Sequence, residues 1–264
     1  MFYHFRDLNR VRAPSKGTRP VDAICFDGHW LDDEVEAFST IIVEGRENFK
    51  RTINAQETSK DGSIYLTSRI PSKSLKITFN WKCDSIDDHN KQVQKLKMLL
   101  NKPEAEIKFE DEPTFHYIGT VEEINFEKAL LTTKGTITID CSNPFKFSDL
   151  KTISGKEKKF TISDGELLYE TKPKQLKIIP SANGSKIEIT NETNGKKLMA
   201  NIAYSAGNEI IFDFDNLDFL VNKASHLMDI DLASNFDDFY IKDKDAISIT
   251  VDGTYSLTYE VKQL

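Results

Sequence analysis

Glu104-Ala105-Glu106-Ile107-Lys108-Phe109-Glu110 alternates polar and apolar side chains without a break. Successive side chains of an extended strand point to opposite faces, so Ala105, Ile107 and Phe109 share one side and the charged residues the other. The stretch reads as a strand with one face on a core and one in water. The same period of two recurs over residues 39–43, 63–67, 75–81, 116–121 and 135–141. One segment follows a different period. From 86 to 100 the apolar residues Val93, Leu96, Leu99 and Leu100 fall on one helical face, Ser85 with Asp88 three residues on can cap the start, and Asn101-Lys102-Pro103 stops it. An amphipathic helix laid on a mainly β domain is the expected arrangement.

Past Phe147 the texture changes, because residues 148–159 are polar and lysine-rich with no apolar period. This divides the chain into an expected amino-terminal domain, 1–148, and a carboxy-terminal domain, 149–264, in keeping with a length of 264 residues. Turn signals then recur at Asp164-Gly165, Asn183-Gly184, Asn194-Gly195, Gly207-Asn208 and Asp252-Gly253. Such pairs accept the positive φ angles of tight hairpins, so the second domain reads as an antiparallel β-sandwich.

The formal charge of −7 and isoelectric point near 5.4 argue against a protein whose affinity for nucleic acid comes from counterion release. Only the start is basic, with Arg6, Arg10, Arg12, Lys16 and Arg19. A mean hydropathy of −0.45 with 29% charged residues describes a chain that folds in water. The opening residues MFYHFRDLNR lack the apolar centre of an export signal, and no run reaches the 18 or so apolar residues of a membrane span. The expected location is a cytoplasm, with no membrane partner. Seventeen Phe and eight Tyr favour strands over a helical bundle.

Candidate chemistry is sparse. Cys25, Cys83 and Cys141 are three, widely spaced, and none has a His at zinc-ligand spacing, which suits buried thiols. Glu104, Glu106, Glu110, Asp111 and Glu112 could supply a glycosidase pair, yet alternation makes them a solvated strand face. Asp213-Phe214-Asp215-Asn216-Leu217-Asp218 begins like a calcium loop, but Leu217 and Asp218 stand where an oxygen ligand and a glycine belong. An irregular calcium site stays open, as does a Ser/His/Asp triad, whose members need not be neighbours in sequence. No phosphate loop, dinucleotide fingerprint, nucleophile elbow or zinc-protease motif occurs. Asp27-Gly28-His29 marks a turn, and Trp30 beside Leu31 reads as a partly buried anchor. The expectation is no catalytic residue, no metal and no cofactor.

A set of short motifs carries more. Val43-Glu44-Gly45-Arg46-Glu47, Asp61-Gly62-Ser63, Ser68-Arg69-Ile70-Pro71-Ser72-Lys73, Phe109-Glu110-Asp111-Glu112-Pro113 with His116-Tyr117-Ile118-Gly119, and residues 135–147 ending in Asn143-Pro144-Phe145-Lys146-Phe147 follow one another around the helix. In that order they resemble the amino-terminal domain of the distal tail proteins of long-tailed, non-contractile phages and prophages of Gram-positive bacteria. Residues 230–236, Ile-Asp-Leu-Ala-Ser-Asn-Phe, are similar to the family's closing segment, although Asp237-Asp238 and Lys242-Asp243-Lys244-Asp245 stand where a Pro-Gly-Asn type of turn is expected.

The resemblance implies a structural virion protein and no enzyme. It implies an amino-terminal β-barrel or sandwich with one helix and a protruding hairpin, and a carboxy-terminal galectin-like or carbohydrate-module-like sandwich. The implied assembly is a homohexameric ring at the distal end of the tail, joining the tail-tube protein to tail-tip, receptor-binding or baseplate proteins, with DNA passing only through the lumen. On this reading the virion part is assembled in the bacterial cytoplasm. Its candidate assembly residues are Glu44, Gly45, Arg46, Arg69, Ile70, Pro71, Asp111, Pro113, Asn143, Pro144 and Phe145. Arg46 and Arg69 can serve either the fold or contacts between copies. The alternative function is a carbohydrate-binding module on host cell-wall polysaccharide. Both tryptophans, Trp30 and Trp81, fall in the first domain, which weighs against a galectin-type site in the second.

Overall fold

The computed structural model describes residues 19–127 and 131–264. These form two compact units, one reaching Lys146 and including Leu264, the other spanning Phe147–Gln263. In the first unit the elements are β1 (Ile24–Phe26), β2 (His29–Trp30), α1 (Leu31–Glu34), β3 (Phe38–Glu44), β4 (Thr52–Glu57), β5 (Ser63–Arg69), β6 (Lys73–Lys82), α2 (Ile86–Leu99), β7 (Ala105–Phe109), β8 (Glu112–Phe126) and β9 (Thr132–Cys141). Their main sheet runs β2-β1-β7-β8-β9-β6-β3, while among the described residues β4 and β5 pair only with each other.

Strand β6 shows why the sequence folds this way. Leu75, Ile77, Phe79 and Trp81 are wholly buried on one face, and Ser74, Lys76, Thr78 and Asn80 alternate with them on the other. The strand sits between β3 and β9, antiparallel to both. Helix α2 starts where Ser85 Oγ accepts the Asp88 N–H at 3.1 Å, which satisfies one of the orphan donors of its first turn. It buries Leu96, with Leu100 just beyond its end, in the same core as Phe79 and Trp81. Trp81 Nε1–H donates to His89 Nδ1 at 3.1 Å, so the indole keeps a partner inside the core. The Asp27-Gly28 turn joins β1 to β2 with both residues at positive φ, 49° and 83°.

The second unit continues with β10 (Lys146–Ser148), which straddles the boundary, β11 (Lys151–Gly155), β12 (Lys159–Thr161), β13 (Gln175–Pro180), β14 (Ile187–Asn191), β15 (Lys197–Ala200), β16 (Ile210–Asp213), β17 (Asp218–Val221), β18 (Ala224–Ser225), β19 (Ala246–Ile249), β20 (Gly253–Tyr259) and β21 (Lys262–Gln263). Two antiparallel sheets, β11-β20-β13-β16-β17-β18 and β12-β19-β14-β15, face one core. Ile178, Phe212, Phe219 and Leu257 enter it from the first sheet, and Ile189, Leu198 and Ile247 from the second. This is a β-sandwich.

The turn signals of this unit resolve differently from the expectation. Only Asn194-Gly195 closes a hairpin, between β14 and β15. The other four lie where the chain crosses from one sheet to the other. At Asp252-Gly253 the glycine is needed for closeness: a Cβ on Gly253 would stand 2.1 Å from the Ile179 carbonyl oxygen. The true β17–β18 hairpin turns on Asn222-Lys223, at φ 50° and 71°. The calcium-like segment forms the β16–β17 hairpin loop, where Asp213 Oδ1 accepts the backbone N–H groups of Asp215 and Asn216.

Candidate assembly surface

Of the candidate residues, Gly45, Arg46 and Asp111 meet near the root of the β4–β5 hairpin, and Ile70, Pro71 and Pro144 line one recess. Gly45 follows β3 at φ 100°, and a Cβ there would lie 2.3 Å from the Ser74 carbonyl oxygen, so only glycine fits. The bend aims Arg46 across the sheet. Its two terminal nitrogens donate to the two carboxylate oxygens of Asp111, each at 2.6 Å, and its guanidinium lies 4.7 Å over the Phe109 ring. Planar fork and planar carboxylate match, which a lysine could not reproduce. The bonds to Asp111 raise the Arg46 guanidinium above its ordinary value against the opposing effect of burial. Asp22 stands 3.4 Å from the same guanidinium, yet burial raises its carboxyl above the usual carboxylate range.

Lys73, the first residue of β6, braces this clamp from beneath the backbone of Arg46. Its Nζ donates to the Arg46 carbonyl at 2.9 Å and faces the Tyr117 ring, and burial pushes its ammonium below the usual lysine range. An open recess of about 590 Å³ lies beside it, lined in part by Phe49, Lys50, Ile70, Pro71 and Pro144. Asn143 Oδ1 accepts the Phe145 N–H at 3.1 Å and so shapes the turn leading to Pro144. Glu44 and Arg69 end their strands exposed, neither with an ion-pair partner among the described residues, and Pro113 is an exposed residue early in β8.

The protruding hairpin that the resemblance implied is β4–β5, and the strand expected at 63–67 is its second strand. Strands β4 and β5 are almost entirely solvent-exposed on both faces. Ile53, Ile64, Tyr65 and Leu66 are each more than half exposed. The signal was available in Ile64-Tyr65-Leu66, since three consecutive apolar residues in a strand place apolar side chains on both faces. Of the basic start, Arg6, Arg10, Arg12 and Lys16 lie outside the described residues; Arg19 bonds Asp33 and Glu110 and lies over the Trp30 ring. The row Glu104, Glu106 and Glu110 is engaged with Ser142, Lys108 and Arg19, as a solvated strand face would be. All three cysteines are buried free thiols. Among the described residues no three His, Cys, Asp or Glu side chains gather as a metal site, and no helix is long and apolar enough to cross a membrane.

Residues 34–141 match the family model of the phage tail protein RIFT-related domain. The matched stretch is a single domain, less than half of the chain. The chain's fold is the distal-tail fold: it resembles the SPP1 Dit protein, described as a paradigm of the hub adsorption apparatus in phages infecting Gram-positive bacteria, at a TM-score of 0.80 and 18% identity over 92% of this chain and 100% of that one. A chain of the phage P2 baseplate in its activated conformation with calcium is similar at a TM-score of 0.54 and 8% identity, covering 89% of this chain and 93% of that one. The strontium form gives 0.51 and 6%, over 88% and 92%. No curated protein matches the sequence.

Proposed function

We propose that this chain is the hub at the distal end of a long non-contractile tail, six copies forming a ring that joins the tail tube to the tail-tip or baseplate apparatus. The observation that carries the reading is the β4–β5 hairpin. A two-stranded hairpin is marginal in water by itself, and this one exposes four large apolar side chains without a core of its own to cover them. Docking on another copy removes that surface from water and orders the hairpin. The clamp of Arg46 on Asp111, with Gly45 behind it, sets the direction in which the hairpin leaves the sheet. The carboxy-terminal sandwich then serves as the outer module on which receptor-binding proteins mount. A net charge of −7 suits a ring through which DNA passes, because a lumen that gripped phosphates would slow transit. Assembly takes place in the host cytoplasm, where the three thiols stay reduced.

Negative-stain imaging of the purified full chain tests this. Six-fold rings, alone or on addition of tail partners, are the expected result; monomers at every concentration and with every partner overturn it.

A further inference from the structure

Across β2, β1, β7 and β8 the register joins Trp30, Cys25, Lys108 and His116 into one row. The neighbouring row, Phe26, Ile107 and Tyr117, belongs to the core, so alternation turns the first row to the outward face of the sheet. Cys25 and His116 are nevertheless only 6% and 9% exposed, and neither is a member of the core cluster. An outward sheet face left to water would expose an imidazole.

Arg19 begins the cover. Its guanidinium lies 4.0 Å over the Trp30 ring, its Nε donates to Asp33 at 2.7 Å and a terminal nitrogen donates to Glu110 at 2.5 Å. Residues 1–18 precede it in the chain and carry Arg6, Arg10, Arg12 and Lys16 against one acid, Asp7. Charge on the face is of the opposite sign. Glu104, Glu106 and Glu110 lie along β7 and Asp33 beside Arg19, four carboxylates against the cations Arg19 and Lys108.

We infer that residues 1–18 lie across the outward face of β7 and β8 in the same copy, a basic strap whose charges meet Glu106 and Glu110 and whose backbone covers His116. The reach is short. Trp30 to His116 spans three strand spacings, about 14 Å, which about five extended residues cross. So short a tether gives the segment of the same copy a higher effective concentration at this face than that of any other copy. The basic start is then neutralised within the chain and is not offered to nucleic acid. This holds whether or not the copies form a ring.

The test maps diethyl pyrocarbonate modification of the full chain by mass spectrometry, with His29 and His226, whose side chains are 48% and 36% exposed, as internal references. In the native chain His116 should react about tenfold more slowly than His29. The full-length variant Arg6→Glu, Arg10→Glu, Arg12→Glu, Lys16→Glu should remove most of that protection, while Cys83 and Cys141 stay closed to a thiol reagent and report an intact core. His116 of the native chain should also open as salt rises to about 1 M, where charges are screened beyond about 3 Å. Equal protection in the native and reversed chains with the core intact overturns the inference, as does a native His116 as reactive as His29. If the reversed chain loses its core, the salt series on the native chain decides, and protection unchanged at about 1 M salt overturns the strap. Protection that falls on dilution overturns the placement in favour of a neighbouring copy's segment. Duplex DNA bound by the native chain and not by the reversed one overturns it in favour of nucleic acid.

Discussion

Replacing Arg46 with alanine separates a residue that builds the hairpin root from one that serves contacts between copies. The side chain is 18% exposed and its partner Asp111 29%, so the pair lies between the surface and buried regimes. Exposed ion pairs contribute about 0–1 kcal/mol, and breaking a buried pair costs about 3–5 kcal/mol. Two bonds at 2.6 Å with matched planes on a mostly covered guanidinium place the loss near 2 kcal/mol (roughly midway). Removing the guanidinium from the Phe109 ring adds about 0.5 kcal/mol. Arg46→Ala should therefore destabilise the first unit by about 2–3 kcal/mol, and Arg46→Lys, which keeps charge and loses the fork, by about 1 kcal/mol. Urea unfolding followed by tryptophan fluorescence reads this unit selectively, because both Trp30 and the fully buried Trp81 belong to it. A double-mutant cycle with Asp111→Ala should return a coupling of about 1.5 kcal/mol. A variant within 0.5 kcal/mol of wild type (about the scatter of neutral surface changes), or a coupling near zero, refutes the clamp. Unchanged stability with lost assembly would place Arg46 in the contact between copies.

Gly45→Ala adds a Cβ at φ 100° against the Ser74 carbonyl and should cost more than about 2 kcal/mol in the same fluorescence assay. In the second unit, burial would raise the Asp164 carboxyl, yet bonds from Lys151, the Glu166 N–H and the Tyr259 hydroxyl hold it below its ordinary value. A depressed folded value means the stabilisation is complete above the unfolded pKa and is lost as the pH falls through the folded one. Acid titration followed by circular dichroism should show Asp164→Asn less stable at neutral pH and less acid-dependent below the ordinary carboxylate range; an unchanged acid limb refutes it. Burial pushes the Cys83 thiol up to about 11 and Cys141 up to about 12, and raises Cys25 as well. A thiol reagent at pH 8 should thus label native protein only at the rate of unfolding and label three thiols in urea, and a rapid native equivalent would contradict this.

The strands of the first unit were legible because their core faces only water on the far side. Leu75 to Trp81 and Gly135 to Cys141 alternate cleanly, and the helix from Ile86 announces itself through Ser85 and its apolar face. Strand β8 runs from Glu112, well before the expected start at 116: Glu112 pairs with Phe109, but a register shift leaves residues 113–115 out of the β7 ladder, and Pro113 and Thr114 are exposed, which blurs the period. In the second unit glycine marked close approaches as well as turns, Gly253 against the Ile179 carbonyl and Gly184 against the Tyr204 ring. Asn222-Lys223 turned the chain without any glycine. The clamp was beyond sequence reading, since Arg46 and Asp111 are 65 residues apart and nothing local pairs a guanidinium with a distant carboxylate. The apolar hairpin was written in Ile64-Tyr65-Leu66, but without a core to face, its periodicity carried no direction.

Native mass spectrometry of the purified full chain tests the central claim, assembly into a hub, most directly. A species of six times the 30.1 kDa chain mass, populated alone or when tail partners are added, is the expected result. A single 30.1 kDa species at every concentration, with and without those partners, would contradict it.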